Sequence, residues 1–344
     1  MIVVVTGASA GVGRATALEF ARHGWDVALI ARNAARLEAA AIEVRGEGPS
    51  CLPIVGDVAD ADAIEQAAAR VEAELGPIDV WINNAMATIF APIDRVTPEE
   101  FRRATEVTYL GQVYGTMVAL SCMRKRDYGT IVNVGSALAY RAIPLQSAYC
   151  GAKYAVRGFT DSIRTELIHD GSAIRLVMVH LPAVNTPQFD WALNKLGKRP
   201  QPVPPIIQPE VPARAIVEAA LNPDRREAWV GLPTVITILA NKLAPGMLDR
   251  YLARTVYSGQ LTDEPVPSGA PANLFKTADG DYGAHGRFDS RARDVSYQAA
   301  ASRHRTALTL GLLGLGCVGL TALLTRARHQ VGEKCSASRR PVRS

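Results

Sequence analysis

The chain has 344 residues, of which 48% are hydrophobic, 21% charged and 6% aromatic. This is the composition of an ordinary globular protein, and it excludes a disordered activator, a collagen-like fibre and a small disulfide-stabilised scaffold. The net charge is +5, and the last nineteen residues account for all of it, with six basic side chains against Glu333. The rest of the chain is neutral, which argues against nucleic-acid binding, because that function needs a basic face on the folded domain.

The cysteines lie at positions 51, 122, 150, 317 and 335 and show neither paired nor metal-ligand spacing. We interpret them as reduced thiols in a reducing compartment, and we predict no metal site. The apolar run 2–5 follows Met1 directly, without a basic segment or a cleavage site, so no signal peptide is expected.

Up to about residue 230, short β-branched runs alternate with longer alanine-rich helical stretches. The runs lie at 2–6, 26–30, 51–56, 78–82, 129–135, 174–180 and 228–230. Several of them are almost entirely apolar, as strands buried on both faces are. The alternation predicts right-handed parallel crossovers, and therefore an α/β fold with a doubly wound, Rossmann-type sheet of about seven strands.

The segment from Asn194 to Pro212 contains six prolines, which exclude a regular helix or a central strand. It follows the sixth predicted strand, at the carboxyl end of the sheet, where ligands bind in such folds. We interpret it as a flap over a substrate pocket, with a proline-rich surface connection as the alternative.

We predict one catalytic domain over residues 1–254 and a low-order linker over 255–304. The linker prediction depends on the lack of a sustained period and on the many Gly, Pro, Ser and Asp residues after about Val256. A hydrophobic helix is predicted over 305–326 and a basic tail over 327–344.

The stretch 306–325 has twenty residues without a charge, eight of them leucine. A helix of this length spans about 30 Å, which matches the hydrocarbon thickness of a bilayer. We therefore predict membrane association through 306–325, with the catalytic domain on the cytoplasmic side. A buried amphipathic tail helix is the alternative.

A glycine-rich turn directly follows the first predicted strand. Its glycines are Gly7, Gly11 and Gly13, interleaved with Ser9 and Val12. Glycines at such a turn let a pyrophosphate approach the helix N-terminus, where free amide groups favour negative charge. The turn therefore predicts a dinucleotide site, and its position after the first strand makes the prediction specific.

The second strand ends at Ala31, where an acidic residue would bind the ribose of NAD and repel a 2′-phosphate. Arg32 follows as a charge-assisted partner for that phosphate, and Arg14 is a candidate for a second cation. Either arginine could instead be a solvated charge at a helix start. The missing acid favours NADP(H) over NAD(H).

Tyr149 and Lys153 lie four residues apart and so share one face of a predicted helix. A phenol is a poor base at neutral pH, and a nearby ammonium stabilises its phenolate. Ser136 follows the fifth predicted strand, where it could hold a substrate oxygen. Ordinary surface or capping roles are the alternatives for these three residues.

These motifs together resemble the classical short-chain dehydrogenases/reductases over residues 1 to about 230. The resemblance implies that Tyr149 is the general acid/base, that Lys153 binds the nicotinamide ribose and lowers the pKa of Tyr149, and that Ser136 orients the carbonyl. The implied cofactor-binding residues are Gly7, Ser9, Gly11, Val12, Gly13, Arg14, Arg32, Asp57, Val58, Asn83, Ala85, Tyr149, Lys153 and Thr186.

The chain departs from this family where an asparagine usually anchors a water of the proton relay, because Thr108 occupies that position. A hydroxyl holds a water less firmly, so slow turnover is expected. Met86 and Ala183 replace two glycines that are frequent in the family, which affects only the local backbone.

We therefore expect an NADPH-dependent oxidoreductase that transfers hydride between the nicotinamide and a carbonyl or alcohol substrate. The alternative is a membrane-associated, dinucleotide-binding regulatory or scaffold protein with little turnover. The expected pocket wall consists of Leu138, Tyr140, Ile143, Phe189, Trp191 and the proline-rich segment. This wall is mostly apolar and favours a lipophilic substrate. The resemblance also suggests a homodimer through the long fourth and fifth helices.

Overall fold

The computed structural model describes residues 1–303, and within them the central element is a seven-stranded parallel sheet. Its strands are β1 (Ile2–Thr6), β2 (Asp26–Ala31), β3 (Cys51–Val55), β4 (Val80–Asn83), β5 (Thr130–Ser136), β6 (Arg175–Leu181) and β7 (Glu227–Trp229). The order across the sheet is β3-β2-β1-β4-β5-β6-β7, so the winding reverses between β1 and β4. This confirms the predicted Rossmann-type sheet and places its ligand-binding crevice at the carboxyl ends of those two strands.

Helices pack on both faces of this sheet. The helices of the described residues are α1 (Gly11–Arg22), α2 (Ala34–Gly46), α3 (Ala61–Glu74), α4 (Pro98–Thr105), α5 (Gly111–Arg124), α6 (Ser147–His169), α7 (Gln188–Trp191), α8 (Glu210–Leu221), α9 (Leu232–Leu243), α10 (Pro245–Gly259) and α11 (Tyr297–Arg303). A π-helical turn, Glu106–Leu110, joins α4 to α5. Short 3-10 turns lie at Ile93–Arg95, Ala137–Ala139 and Asp289–Arg291.

Alternate residues of β1 enter two different hydrophobic clusters, because successive side chains of a strand point to opposite faces. Val3 and Val5 pack in the cluster that includes Phe20 of α1, together with residues of α2 and α8. Val4 packs in the cluster of Ile64 of α3, with residues of α5. Burial on both faces explains why the strand sequence is continuously apolar.

Three short strand pairs hold the later part of the chain to the domain. Ile89–Phe90 pairs with Leu193–Asn194, Lys198–Pro200 with Leu261–Pro265, and Ile206–Ile207 with Ala292–Arg293. The proline-rich segment thus contributes only strands of two or three residues, all outside the main sheet.

Regular structure and long-range contacts replace the low-order linker that the sequence predicts over 255–304. α10 continues to Gly259, a strand covers Leu261–Pro265, and residues 1–299 form one compact unit. Residues after 270 are held mainly by bonds between polar side chains and distant backbone groups. They have no amphipathic face, so hydrophobic periodicity could not indicate that this segment is ordered.

The hydrophobic segment 305–326 and the basic tail 327–344 lie outside the described residues. Within residues 1–303, no helix is long and apolar enough to cross a membrane.

Candidate active site

The glycine-rich turn leads from β1 into α1 as the sequence predicts. Gly7 and Gly11 adopt φ values of +65° and +58°, which side chains disfavour. A Cβ on Gly13 would lie 2.3 Å from the carbonyl oxygen of Gly7, so only glycine allows α1 to pack this closely on the turn. The N-terminus of α1 has no side-chain cap, and its first residues Gly11 and Val12 face the cavity described next.

A cavity of about 760 Å³ extends along the carboxyl ends of the strands. Eleven of the predicted cofactor residues line it: Gly7, Ser9, Gly11, Val12, Arg32, Asp57, Val58, Ala85, Tyr149, Lys153 and Thr186. Ser136 lines the same cavity. The fold therefore brings together the glycine turn and the Ser-Tyr-Lys residues, which are more than 120 positions apart in the chain.

Ser136 ends β5, whereas Tyr149 and Lys153 lie one turn apart on α6. Ser136 and Tyr149 line the same cavity, and Ser136 lies close enough to favour the Tyr149 phenolate by lowering its pKa. The Nζ atom of Lys153 lies 5.6 Å from the centroid of the Tyr149 ring and donates to the backbone oxygen of Val134 at 2.6 Å. Lys153 is 1% exposed, so its ammonium lies in the floor of the site.

A family model described as short chain dehydrogenase matches residues 1–195. The chain belongs to the short-chain dehydrogenase family. It is 30% identical to the uncharacterized oxidoreductase YxnA of Bacillus subtilis over 306 residues, which cover 88% of this chain and 85% of that protein. It is 33% identical to estradiol 17-beta-dehydrogenase 11 of Mus musculus over 239 residues, 69% of this chain and 77% of that one.

A similar solved structure is the alcohol dehydrogenase of the archaeon Thermococcus sibiricus, complexed with 5-hydroxy-NADP. Its TM-score is 0.57 at 28% identity, and the match covers 67% of this chain and 94% of that one. NAD+-bound xylitol dehydrogenase matches with a TM-score of 0.51 at 29% identity, over 53% of this chain and 70% of that one. Family membership makes this short-chain dehydrogenase a nicotinamide-dependent oxidoreductase.

Burial perturbs both titratable groups of the site in this short-chain dehydrogenase. It raises the pKa of Tyr149 above the ordinary phenol value, and the neighbouring Ser136 side chain opposes that rise. It also lowers the pKa of Lys153 to about 7. Ser136 is therefore the neighbour that favours the phenolate in this structure, and the expected effect of Lys153 on Tyr149 stays a prediction.

Thr108 does not face the cavity. Its hydroxyl accepts from the amide of Ala87 and donates to the carbonyl of Ala87, both at 2.9 Å. One helical turn later, Gln112 is 1% exposed, and its Nε2 donates at 3.2 Å to the same Val134 oxygen that Lys153 uses. The Gln112 Oε1 atom has no hydrogen-bond partner among the described residues. No sequence signal points to Gln112, because its position near the site depends on a bond from α5 to the backbone of β5.

Three predicted cofactor residues do not line the cavity. Gly13 acts through close packing, and Asn83 is completely buried, where its amide donates to Thr116 and Asn133. The next residue, Asn84, lines the cavity instead. The sequence does not predict this, because the register at the end of β4 decides which of the two side chains faces the cavity. Arg14 is buried and paired with carboxylates, as described below.

Residues 273–289, which we call the strap, cross the end of the cavity beside Arg32. Arg32 donates to the backbone oxygens of Asn273, Leu274 and Phe275 at 2.5 to 3.3 Å. Asn273 and Thr277 of the strap line the cavity. The strap thus forms one wall of the expected adenosine end of the site.

The strap also contacts the glycine turn. The amide of Gly11 donates to the carbonyl of Gly283 at 3.1 Å. Arg14 forms ion pairs with Asp281 and with Glu43, the latter at 2.8 Å. A Cβ on Gly286 would lie 2.6 Å from the backbone oxygen of Thr186. The strap therefore also packs tightly against Thr186, on the other side of the cofactor cleft.

Arg36, on α2, is 3% exposed beneath the strap. Its guanidinium stacks on Trp191 at 4.7 Å and on Tyr282 at 5.4 Å, and it donates to the carbonyl of Ala278. Its Nε has no hydrogen-bond partner among the described residues. Within residues 1–303 neither Arg36 nor Arg32 forms an ion pair, and both side chains line the cavity.

The other end of the cavity is mainly apolar. Of the predicted wall, Leu138, Ile143, Phe189 and part of the proline-rich segment line it, whereas Trp191 lines the cavity beside Arg36 and the strap. Tyr140 does not, because its hydroxyl donates to Glu227. Residues of α9 and α10 line the cavity as well, which the sequence did not indicate.

Proposed function

We propose that this protein is an NADPH-dependent oxidoreductase acting on a lipophilic carbonyl or alcohol, with Tyr149 as the general acid/base. The observation that carries the proposal is that Ser136, Tyr149 and Lys153 line the same cavity as the glycine turn, with the Lys153 Nζ atom 5.6 Å from the centroid of the Tyr149 ring. When bound, the nicotinamide supplies or accepts the hydride.

The proton chemistry follows from the contacts of the three side chains. The Ser136 oxygen accepts from the amide of Leu138 at 3.1 Å, so its hydroxyl proton is left to donate to the tyrosine or to a substrate oxygen. Tyr149 gives its proton to the carbonyl oxygen in reduction and takes it back in oxidation. Lys153 lies beneath the ring, where an ammonium stabilises the phenolate.

The NADPH preference is supported by Ala31, Arg32 and Arg36. Ala31 lines the cavity and offers no carboxylate to a ribose hydroxyl. Arg32 and Arg36 line the cavity beside Ala31 and form no ion pair within residues 1–303, and arginine suits phosphate because its donors lie in a planar fork. Arg14 does not serve as a second cation for the 2′-phosphate, because Asp281 and Glu43 already neutralise it.

The lipophilic substrate is supported by the apolar wall and by the relative named estradiol 17-beta-dehydrogenase 11. Apolar walls are common in ligand sites, so the relative adds the more specific argument. We include in the proposal a membrane association through 306–325, with the catalytic domain on the cytoplasmic side, and a homodimer through α4, α5 and α6.

The alternative is a dinucleotide-binding scaffold with little turnover, which the occupied hydroxyl of Thr108 favours. Nicotinamide fluorescence separates the two functions. Oxidation of NADPH with members of a panel of long-chain and polycyclic carbonyls is the expected result. NADPH binding without oxidation across the panel would favour the scaffold.

A further inference from the structure

α9 and α10 carry a row of exposed apolar side chains, which we call the mouth stripe. Its members are Leu232, Ile236, Leu239 and Leu243 on α9, and Met247 and Tyr251 on α10. Spacings of three and four residues place the members of each helix on one face. Leu243 is 85% exposed and Met247 69% exposed, so the stripe lies open within the described part of the chain.

The mouth stripe is continuous with the entrance of the active-site cavity. Leu232, Ile236 and Tyr251 belong to the stripe and also line the cavity. Both helices therefore contribute to the same opening. A substrate that reaches the cavity along this side passes over apolar side chains from the surface inward.

Basic residues accompany the stripe. Lys242, Arg250 and Arg254 are exposed, and none of them forms an ion pair within residues 1–303. Arg250 and Arg254 lie on the same face of α10 as Met247, given 3.6 residues per turn. The nearby acid, Asp249, is neutralised by an ion pair with Arg141.

The helix pair is fixed relative to the catalytic residues. Arg141, which pairs with Asp249 of α10, also donates to the side chain of Asn241 at 3.2 Å. Asn241 in turn donates to the backbone oxygen of Tyr140 at 2.9 Å. These bonds hold α9 and α10 against the loop that follows Ser136, so whatever binds the stripe lies at a fixed position above the site.

We propose that the mouth stripe docks the catalytic domain onto an anionic phospholipid bilayer, from which a lipophilic substrate enters the cavity. An apolar face flanked by basic side chains is the pattern of a helix that lies in the membrane interface. Anionic headgroups near the stripe would pair with Lys242, Arg250 and Arg254. The substrate part of this proposal rests on the proposed function, whereas the docking itself does not.

Two other occupants fit less well. A second copy in a two-fold contact would bring the three cations of one stripe close to those of the other, because such an interface uses the same patch twice. The segment 306–325 contains no acidic residue that could pair with them. A bilayer with acidic headgroups satisfies both the apolar and the basic parts.

The test uses the full chain and vesicles of phosphatidylcholine, with or without about 30 mol% phosphatidylglycerol. The double variant Leu239→Asp/Leu243→Asp changes the stripe but not the cavity lining, and we expect at least about tenfold weaker binding to the anionic vesicles. Ile42→Asp, on α2, is the matched control, since Ile42 is 63% exposed and lies away from the stripe. Arg250→Gln/Arg254→Gln should reduce the preference for phosphatidylglycerol.

Insertion of the stripe itself is measured with Leu243→Trp and lipids brominated on the acyl chain. Quenching beyond that of Ile42→Trp is expected. Equal quenching of the two variants, or unchanged vesicle binding by the double variant, would overturn the proposal, since 306–325 alone would then hold the protein. A wild-type dimer that the double variant loses, without any change in vesicle binding, would assign the stripe to a second copy and also overturn it.

Failure of the docking is distinguishable from failure of the proposed function. Vesicle binding is measured without cofactor or substrate, and Tyr149→Phe should bind vesicles as the wild type does. Normal docking by a protein that oxidises no NADPH would contradict the proposed function alone.

Discussion

Arg14, in the first turn of α1, is paired with Asp281 of the strap, which lies 267 positions later in the chain. Arg14 is 4% exposed, so this ion pair fastens the strap to the turn that is expected to bind the pyrophosphate. The bond from Gly11 to the Gly283 carbonyl adds a second attachment. A cofactor bound beneath the strap would therefore leave only when these contacts break.

Asp281→Ala should accelerate NADPH release about tenfold, because it removes a charge-assisted contact that holds the strap closed. Stopped-flow fluorescence of bound NADPH, displaced by excess NADP+, measures the rate. Asp263→Ala is the control, since Asp263 is exposed and pairs with Lys198 away from the strap. Equal release rates for the wild type and Asp281→Ala would show that the strap does not limit exchange.

Arg32→Ala/Arg36→Ala should lower kcat/KM for NADPH about ten- to a hundredfold more than for NADH, because loss of the bonds to the strap affects both cofactors alike. The variant removes two cations that would bind the 2′-phosphate, and hydrogen bonds to charged groups are the stronger ones. Arg102→Ala, which alters an exposed residue of α4, serves as the control. A wild-type kcat/KM that is higher with NADH would refute the cofactor preference directly.

Tyr149→Phe should reduce turnover by about 10²–10⁴-fold, the usual contribution of a general acid or base. The Kd for NADPH should stay within about twofold, because the phenylalanine ring retains the packing of the tyrosine. The control is Tyr154→Phe on the same helix, since the Tyr154 hydroxyl donates to the backbone of Tyr140 instead. Substantial turnover by Tyr149→Phe would remove Tyr149 from its proposed role.

NADPH binding should take up about one proton between pH 7 and 10, through Lys153. Burial among protein groups lowers the pKa of this lysine from 10.5 to about 7. The phosphates and ribose hydroxyls of a bound dinucleotide favour the charged form and raise that pKa. Because the complex then binds more protons, affinity should fall as the pH rises through this window.

Calorimetry in two buffers of different ionisation enthalpy counts the protons at pH 8.5, about midway in that window. Lys153→Met, which cannot titrate, should show no such uptake. Release of protons by the wild type, or the same uptake by both proteins, would contradict the assignment to Lys153.

The sheet and most of the site were predictable because their signals are local in the sequence. The Gly7–Gly13 turn directly follows a buried strand, and Tyr149 and Lys153 are one helical turn apart. The strap gave no such signal, since its order depends on bonds from Arg14 and Arg32 to residues more than 240 positions away. The same distance effect hides the Asp281 partner of Arg14 from the sequence, which therefore suggests Arg14 as a phosphate ligand.

Gln112 and Lys153 both donate to the Val134 oxygen, and we expect Gln112 to position the lysine. Thr108 cannot do so, because its hydroxyl is bonded to the backbone of Ala87. Gln112→Leu removes the side chain that lies beside Lys153, so kcat should fall about tenfold. It also removes the unpartnered Oε1, so the Tm should change little, as should the KM for NADPH. Gln298→Leu is the matched control, because Gln298 also has a buried Oε1 without a partner in residues 1–303 but bonds to Trp229 outside the site. Equal losses in kcat for the two variants, or a raised KM with unchanged kcat, would assign Gln112 to the core alone.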